Sequence, residues 1–153
     1  MEIVTVRLSS VAELAAAPNL DELVQAYAAE SALAQLGPAV LDVPAYARME
    51  AAGIAHFLAA WRGARLVGFI ILITSPVPHW GNQVIASTES FFVYPTERHG
   101  GVGQKLRKLA ETVAHDVGAR GIFISAPAGG RLERVLSRSG YQHSNTVFFQ
   151  RLA

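Results

Sequence analysis

The spacing of apolar residues along the chain changes repeatedly between the two-residue period of strands and the three-to-four-residue period of helices. Alternating or nearly continuous apolar stretches, bounded by glycine, proline and serine, predict six strands. These strands cover residues 3–8, 56–61, 66–73, 84–94, 121–125 and 146–152. The run 66–73 is apolar at almost every position, which is typical of a strand covered on both faces.

Between these strands, apolar residues at helical spacing predict four helices, over residues 21–36, 43–52, 103–117 and 132–139. The segment 75–83 holds two prolines and a glycine and is predicted to be a loop. The resulting order is β-α-α-β-β-β-α-β-α-β. It predicts a mixed α/β fold, with a central mixed β-sheet flanked by helices, as a single domain over residues 1–153.

Composition removes several classes of protein. Hydrophobic residues make up 51% of the 153 residues and charged residues 16%, which excludes a mainly disordered chain. A net charge of +1 argues against a dedicated nucleic-acid binder or a polybasic membrane binder. The longest apolar run, 66–73, is far shorter than the roughly 20 residues that span a bilayer. We therefore expect no nucleic-acid partner, no membrane and a cytoplasmic location.

The inventory of metal ligands and nucleophiles is short. The sequence has no cysteine, which excludes disulfides, thiolate zinc sites and a cysteine nucleophile. Its five histidines show no i, i+4 spacing and join no carboxylate in a motif, so no metal site is predicted. A glycine-x-serine-x-glycine elbow, which serine hydrolases need, is also missing.

The chemistry-bearing segment is the turn between the fourth strand and the third helix, residues 93–106. Arg98, Gly101 and Gly103 form the pattern Arg-x-x-Gly-x-Gly at a helix start. Glycines allow a close backbone approach, and the free amides of a helix start bind anions such as a pyrophosphate. A nucleotide P-loop would need Gly-Lys-Ser/Thr, but Gln104 follows Gly103. A dinucleotide fingerprint would need a third glycine and a place after the first strand.

The remaining pattern resembles the acyl-CoA pyrophosphate loop of the GNAT superfamily of N-acetyltransferases. The approach Val-x-Pro-x-x-Arg, formed by Val93, Pro95 and Arg98, matches that superfamily. Gly140 and Tyr141 resemble its Gly-Phe/Tyr turn, and the order of elements agrees along nearly the whole chain.

The resemblance implies an N-acetyltransferase that moves acetyl from acetyl-CoA to a primary amine by direct attack. Acetyl-CoA is then the cosubstrate, no metal is needed, and a homodimer is an expected assembly because dimers are common in the superfamily. The thioester oxygen would bond the backbone N–H of Val93. The residues implied in cofactor binding are Phe92, Val93, Arg98, His99, Gly100, Gly101, Val102, Gly103 and Gln104. His99 departs from the usual glycine, and it either faces the CoA phosphates or faces solvent.

Glu89 is the candidate general base. It is the only carboxylate between Ile54 and Pro95, and superfamily members often use a glutamate near this point. Strand alternation predicts that Glu89 and Val93, four residues apart, share one face of the sheet. The alternative is a purely structural Glu89 that pairs with an arginine or bonds Ser87 or Ser90.

The general acid is not evident from the sequence. Many superfamily members have a tyrosine where this chain has Leu136. Tyr141 is predicted to belong to the core, and Ser125 and Ser137 are the other candidate hydroxyls. A second hypothesis is therefore a catalytically silent module that binds acyl-CoA as a sensor or structural partner. A nucleotide-phosphate binder, with magnesium-dependent ATP binding, is a third and more remote one.

The acceptor amine is not identified by any pattern. The resemblance implies that residues 21–52 and 75–83 form its pocket. His79 and Trp80 either reach that pocket or pack over the sheet. Acidic residues that can attract an amine from the first of these segments are Asp21, Glu22, Glu30, Asp42 and Glu50.

Overall fold

The computed structural model describes residues 2–31 and 33–153. Its five strands form one sheet in the order β1-β2-β3-β4-β5, which is also their order along the chain. Neighbours from β1 to β4 are antiparallel, and β5 runs parallel to β4. The strands are β1 Val4–Ser9, β2 Ala55–Arg62, β3 Arg65–Val77, β4 Gln83–Val93 and β5 Ile122–Phe123.

Five helices flank the sheet. They are α1 Val11–Ala15, α2 Leu20–Ser31, α3 Val43–Ala51, α4 Val102–Asp116 and α5 Arg131–Arg138. Helix α1 was not predicted. It starts with a capping box in which Ser10 and Glu13 bond each other's backbone N–H groups. The mixed α/β class and the flanked central sheet are confirmed.

The sheet separates two cores. Phe57, Phe69 and Phe92 belong to the core under α1, α2 and α3. The opposite core lies under α4, whose inward positions Val102, Leu106, Ala110 and Ala114 follow one another every four residues and are buried. The alternation of β3 divides its residues between these cores, as predicted for a strand covered on both faces.

Several predicted boundaries differ from the structure, and α2 ends at Ser31 instead of residue 36. β3 continues through Pro76 to Val77, so the predicted loop 75–83 is mostly strand and a short 3-10 turn. Proline is tolerated there because β2 pairs with β3 only as far as Ile73, so that Pro76 needs no partner on that side. β5 has two residues instead of five.

The prediction of a sixth strand over residues 146–152 is wrong. Residues 141–153 form no helix or strand, and residues 142–153 are all exposed. The apolar residues of this segment favour a strand, but a strand also needs a neighbour with which to pair. Among the described residues, the segment forms no hydrogen-bonded ladder with any strand of the sheet.

Candidate active site

A fork opens between β4 and β5. The two strands pair only at Ala86 with Ile122 and at Ser87 with Phe123. One further hydrogen bond joins the two segments, from the backbone N–H of Ser125 to Thr88 Oγ1 at 3.1 Å. Beyond Thr88, β4 continues to Val93 with no β5 residue beside it. The remaining length of β4 therefore has its polar backbone groups open on one side.

The backbone of Val93 faces this open side. The N–H of Tyr94 donates to the carbonyl of Val67 on β3 at 3.0 Å. Because backbone groups alternate in direction along an antiparallel strand, the N–H and C=O of Val93 face away from β3. The carbonyl of Val93 accepts a bond from Arg98 Nε at 2.8 Å. The N–H of Val93 thus lies beside the fork, while its side chain is buried under α4.

The turn after β4 ends in an uncapped helix start. Residues Pro95–Gly100 form a 3-10 turn, and Gly101 has φ 73° and ψ 14°, a left-handed conformation that favours glycine. No side chain caps α4, and its first intrahelical bond from this turn runs from the N–H of Lys105 to Gly101 at 3.0 Å. The N–H groups of residues 102–104 therefore have no acceptor within the helix.

This helix start fits a pyrophosphate. A methyl group placed on Gly100 or Gly101 would meet no atom within 4 Å, so a ligand can approach the backbone there. Three free amides and the positive end of the dipole of the 15-residue helix α4 favour an anion. Of the predicted side chains in the turn, His99 and Gln104 are exposed and Val102 is buried beneath the helix.

The Arg98 guanidinium faces α2 and not the helix start. Its Nη2 bonds both carboxylate oxygens of Glu30, at 2.6 and 2.8 Å. The same guanidinium lies 5.7 Å from the centre of the Phe92 ring. The Glu97 carboxylate accepts two hydrogen bonds from the Arg62 guanidinium of β2, at 2.6 and 3.2 Å. The turn is therefore held to both α2 and β2 by ion pairs.

Glu89 sits on a β-bulge. Ile71 pairs with Ser90 and Leu72 pairs with Thr88, which leaves Glu89 as the extra residue. The prediction that Glu89 and Val93 share a face is wrong, because the extra residue breaks the alternation between them. Val93 packs in the core under α4, whereas Glu89 reaches α3 on the other face.

Two hydroxyls bond the Glu89 carboxylate. Tyr46 of α3 donates to Oε1 at 2.9 Å, and Ser90 donates to Oε2 at 3.0 Å. Burial and the neighbouring Glu89 raise the pKa of Tyr46, which stays a neutral donor. Its ring packs edge-on against Phe57 at 5.6 Å. Tyr46 was not predicted from the sequence, since 43 residues separate it from Glu89 and no local motif joins them.

Within the described residues, the candidate acids make no hydrogen bond to the Glu89 carboxylate, which bonds Tyr46 and Ser90. Leu136, which stands where many superfamily members have a tyrosine, is a buried apolar side chain. Tyr141 donates to Glu111 of α4 at 2.7 Å, and burial together with that bond raises the pKa of Tyr141 to about 12. The Ser137 hydroxyl donates to the Glu133 carbonyl within α5 at 2.8 Å. Ser125 approaches the fork through its backbone.

Four of the five acidic residues that were predicted to attract the acceptor amine make ion pairs or hydrogen bonds within the protein. Glu22 pairs with Arg65, Glu30 pairs with Arg98, Asp42 caps α3 through Ala45, and Glu50 accepts from Val11. Trp80 stacks on Phe123 with ring centres 6.0 Å apart, beside β5. His79 lies against Trp80, at 4.4 Å between ring centres.

Two cavities lie outside the fork and the turn. One, of about 850 Å³, lies between β1 and α1 and includes Arg7, Glu13 and Trp61 in its lining. The other, of about 410 Å³, lies beside β5. Among residues 2–31 and 33–153, no three metal-ligating side chains come together. Within the same ranges, no helix is both long and apolar enough to cross a membrane.

The family model described as the acetyltransferase (GNAT) family matches residues 21–136. The chain belongs to this family. The match includes both Glu89 and the turn after β4, so the resemblance seen in the sequence is confirmed. Comparison with curated proteins found no significant match.

Solved structures share the fold at low sequence identity. A transcriptional regulator from Bacillus halodurans C-125 has a TM-score of 0.75 at 18% identity, over 98% of this chain and 100% of that chain. The acetyltransferase AAC(6')-Iy, in complex with a CoA bisubstrate analogue, has 0.70 at 16%, over 99% of each chain. Glucosamine-6-phosphate N-acetyltransferase from Arabidopsis thaliana has 0.76 at 9%, over 99% and 100% respectively.

Proposed function

We propose that this GNAT-family chain is an N-acetyltransferase that moves the acetyl group of acetyl-CoA to a primary amine. The observation that carries the proposal is the uncapped start of α4, which lies directly after the strand that forms the fork. Both features offer free backbone N–H groups. A pyrophosphate and a thioester carbonyl are the two parts of acetyl-CoA that need such donors.

The cofactor site comprises the end of β4 and the turn after it. The backbone from Arg98 to Gln104, which includes His99, Gly100, Gly101, Val102 and Gly103, holds the pyrophosphate. Phe92 and Val93 border the acyl end. The N–H of Val93 donates to the thioester oxygen, where negative charge develops during attack. Because this donor is fixed by the sheet, it needs little rearrangement when the reaction occurs.

Acetyl-CoA supplies an acyl group that is activated as a thioester. The acceptor nitrogen bonds the carbonyl carbon, the carbon–sulfur bond breaks, and the CoA thiolate leaves. Glu89 removes a proton from the acceptor ammonium, directly or through a water molecule. The nitrogen loses two protons in all, one to Glu89 before the attack and one after it. One of these protons neutralises the CoA thiolate, and the other is released to solvent. Glu89 is suited to this step because the bulge turns it toward the helices that the resemblance implies for the acceptor pocket.

Thermal unfolding tests the cofactor site. Acetyl-CoA at 100 times its Kd adds about 2.7 kcal/mol, which raises Tm by several degrees. We expect this rise with acetyl-CoA and with free CoA, and no rise with Mg-ATP. Stabilisation by Mg-ATP alone would contradict the proposal and support a nucleotide-phosphate binder.

Turnover tests the reaction. Release of the CoA thiol is measured with a panel of amines. The panel begins with aminoglycosides and glucosamine-6-phosphate, since an aminoglycoside acetyltransferase and a glucosamine-6-phosphate N-acetyltransferase share the fold. The protein has no thiol of its own to interfere. Glu89→Gln should lower kcat by about 100-fold, in the usual range for loss of a general base, and should keep the Kd for acetyl-CoA. Glu111→Gln is the matched control, since Glu111 also accepts from a tyrosine but lies on α4.

Leu136 favours a second candidate function, a module that binds acyl-CoA without turnover. A buried leucine replaces the expected proton donor, and the hydroxyls of Tyr141 and Ser137 are engaged elsewhere. Such a module would show the rise in Tm with acetyl-CoA but no thiol release with any amine. An active enzyme without an acid remains chemically sound, because a CoA thiolate is a good leaving group.

A further inference from the structure

Two large aromatic side chains, here called the aromatic platform, lie uncovered at the vertex of the fork. Phe123 is the last residue of β5 and pairs with Ser87, so it stands where β4 and β5 separate. Trp80, in the turn before β4, stacks on Phe123 with ring centres 6.0 Å apart and an angle of 23° between the ring planes. Trp80 is 42% exposed and Phe123 is 38% exposed.

The aromatic platform differs from the phenylalanine rings that fill the core under α1, α2 and α3. Phe57, Phe69 and Phe92 of that core are at most 7% exposed. Leaving two stacked rings in water costs free energy, because burial of apolar surface is favourable. Uncovered aromatic rings beside a cleft are typical of a surface that binds an apolar or aromatic group.

The aromatic platform and Glu89 lie on the same face of the sheet. Ile122 packs in the core under α4, so Phe123, the next residue of β5, points to the opposite face. The Glu89 side chain lies on that opposite face, where it reaches Tyr46 of α3. Ser87, the partner of Phe123, precedes Glu89 by two residues, which is about 6–7 Å along a strand. One small ligand can therefore contact both the platform and the Glu89 carboxylate.

The charges at the two ends of this surface restrict the chemistry of such a ligand. The exposed Glu89 carboxylate attracts an ammonium group. Arg120 lines the cavity of about 410 Å³ that Trp80 and Phe123 also line, so the platform end carries a positive charge. This charge would repel a second cationic group on the ligand, as in a polyamine or an aminoglycoside. The part of the ligand that lies on the platform is therefore an uncharged ring.

We propose that the acceptor is an arylalkylamine, a primary amine joined to an aromatic ring by two or three carbons, and that Trp80 and Phe123 select it. The inference rests on the proposed acetyltransferase function. A linker of this length places the nitrogen about 5–6 Å from the ring centre, which matches the separation of Glu89 and the platform. Attack of the nitrogen on the thioester gives an N-acetylated arylalkylamine and CoA thiol, and one proton is released.

Thiol release with matched amines tests the selection. The kcat/KM for 2-phenylethylamine should be at least about tenfold higher than for ethylamine, which lacks the ring. It should also exceed the kcat/KM for benzylamine, whose linker is a single carbon. Turnover of all three amines with equal kcat/KM would overturn the proposal.

Phe123→Leu keeps an apolar side chain on β5 and removes the ring. It should raise the KM for 2-phenylethylamine roughly fivefold, the effect of a lost aromatic contact, and leave the Kd for acetyl-CoA unchanged. Phe148→Leu is the matched control, since Phe148 is 89% exposed and lies outside the platform. Equal KM values for the two variants would contradict a role of the platform in binding the ring.

Tryptophan fluorescence separates this inference from the proposed function. The chain has two tryptophans, of which Trp61 is buried. Titration with 2-phenylethylamine in the presence of CoA should give a saturable change in emission, and ethylamine should give none. Trp80→Phe, which keeps a ring in the platform but leaves only Trp61 to emit, should remove most of this change. If no amine releases thiol, the proposed transfer fails. The saturable change would then still support an arylalkylamine site, and its absence would overturn that site as well.

Discussion

At the scale of the residue, the Tyr46 hydroxyl is the feature that most directly controls Glu89. Its bond to Oε1 joins α3 to the bulge of β4 across the sheet face. Tyr46→Phe removes a hydrogen bond to a charged group, worth about 1.5–3 kcal/mol, and frees the carboxylate to rotate. We expect kcat for acetyl transfer to fall by roughly tenfold, while the Kd for acetyl-CoA measured by thermal shift stays unchanged.

Tyr141→Phe is the matched control for this residue. It removes a second tyrosine–glutamate bond, 2.7 Å long and made to Glu111 of α4. Both variants lose one hydroxyl, so a general loss of stability would affect both in the same way. Equal kcat values for the two variants would mean that Tyr46 serves only the packing of α3.

At the scale of the element, the start of α4 depends on one backbone conformation. Gly101 has a positive φ, and alanine there costs about 1–2 kcal/mol or moves the free amides. We expect Gly101→Ala to weaken acetyl-CoA binding by about tenfold, the effect of one lost bond to a phosphate. Gly118→Ala is the control, since Gly118 has φ 84° at the other end of α4. It should lower Tm similarly and leave the Kd unchanged.

We expect the ion pair between α2 and the turn to compete with the pyrophosphate of the proposed cofactor. Glu30 already bonds the Arg98 guanidinium, although the pair is partly exposed and worth at most about 1 kcal/mol. We expect Glu30→Gln to tighten acetyl-CoA binding by up to about fivefold, because Arg98 is then free to turn to the pyrophosphate. Calorimetric titration measures this, with Glu22→Gln as the control that breaks the Arg65 pair. A weaker Kd for Glu30→Gln would show that Arg98 acts by holding the turn on α2.

Sequence patterns predicted those elements whose partners are local. The four-residue spacing of Leu106, Ala110 and their neighbours is enough to place α4 on the sheet, and the glycine turn before it follows from the same stretch. The bulge at Glu89 was not predictable, because it depends on how Ile71 and Leu72 pair with β4. The contact with Tyr46 and the lack of a sixth strand depend likewise on distant parts of the chain.

At the scale of the whole molecule, the sheet brings together residues from opposite faces. Val93 belongs to the core under α4, and Glu89 reaches the helices of the other face. A group bound in the fork between β4 and β5 is accessible from both faces, because β5 ends after two paired residues. The early end of β5 thus opens the fork beside the last residues of β4.

The stability of the whole fold should depend on pH through His56. His56 lies at the start of β2, with Nε2 3.0 Å from Thr74 Oγ1, and burial lowers its pKa below the usual 6.5. On acidification, His56 of the unfolded chain therefore binds a proton near pH 6.5, whereas His56 of the folded chain binds it only at a lower pH. The stability of the fold with neutral His56 is therefore fully present above pH 6.5, and it is lost as the pH falls through the pKa of His56 in the folded protein.

We therefore expect Tm to fall between pH 7.5 and pH 5, and to fall less in His56→Gln, which keeps a polar side chain but cannot titrate. His143→Gln, at an exposed position, should follow the wild type. Differential scanning calorimetry across this range gives the comparison. If His56→Gln loses as much Tm as the wild type, the acid sensitivity comes from the carboxylates that hold the turn and α2, and Glu97 and Glu30 become the residues to change next.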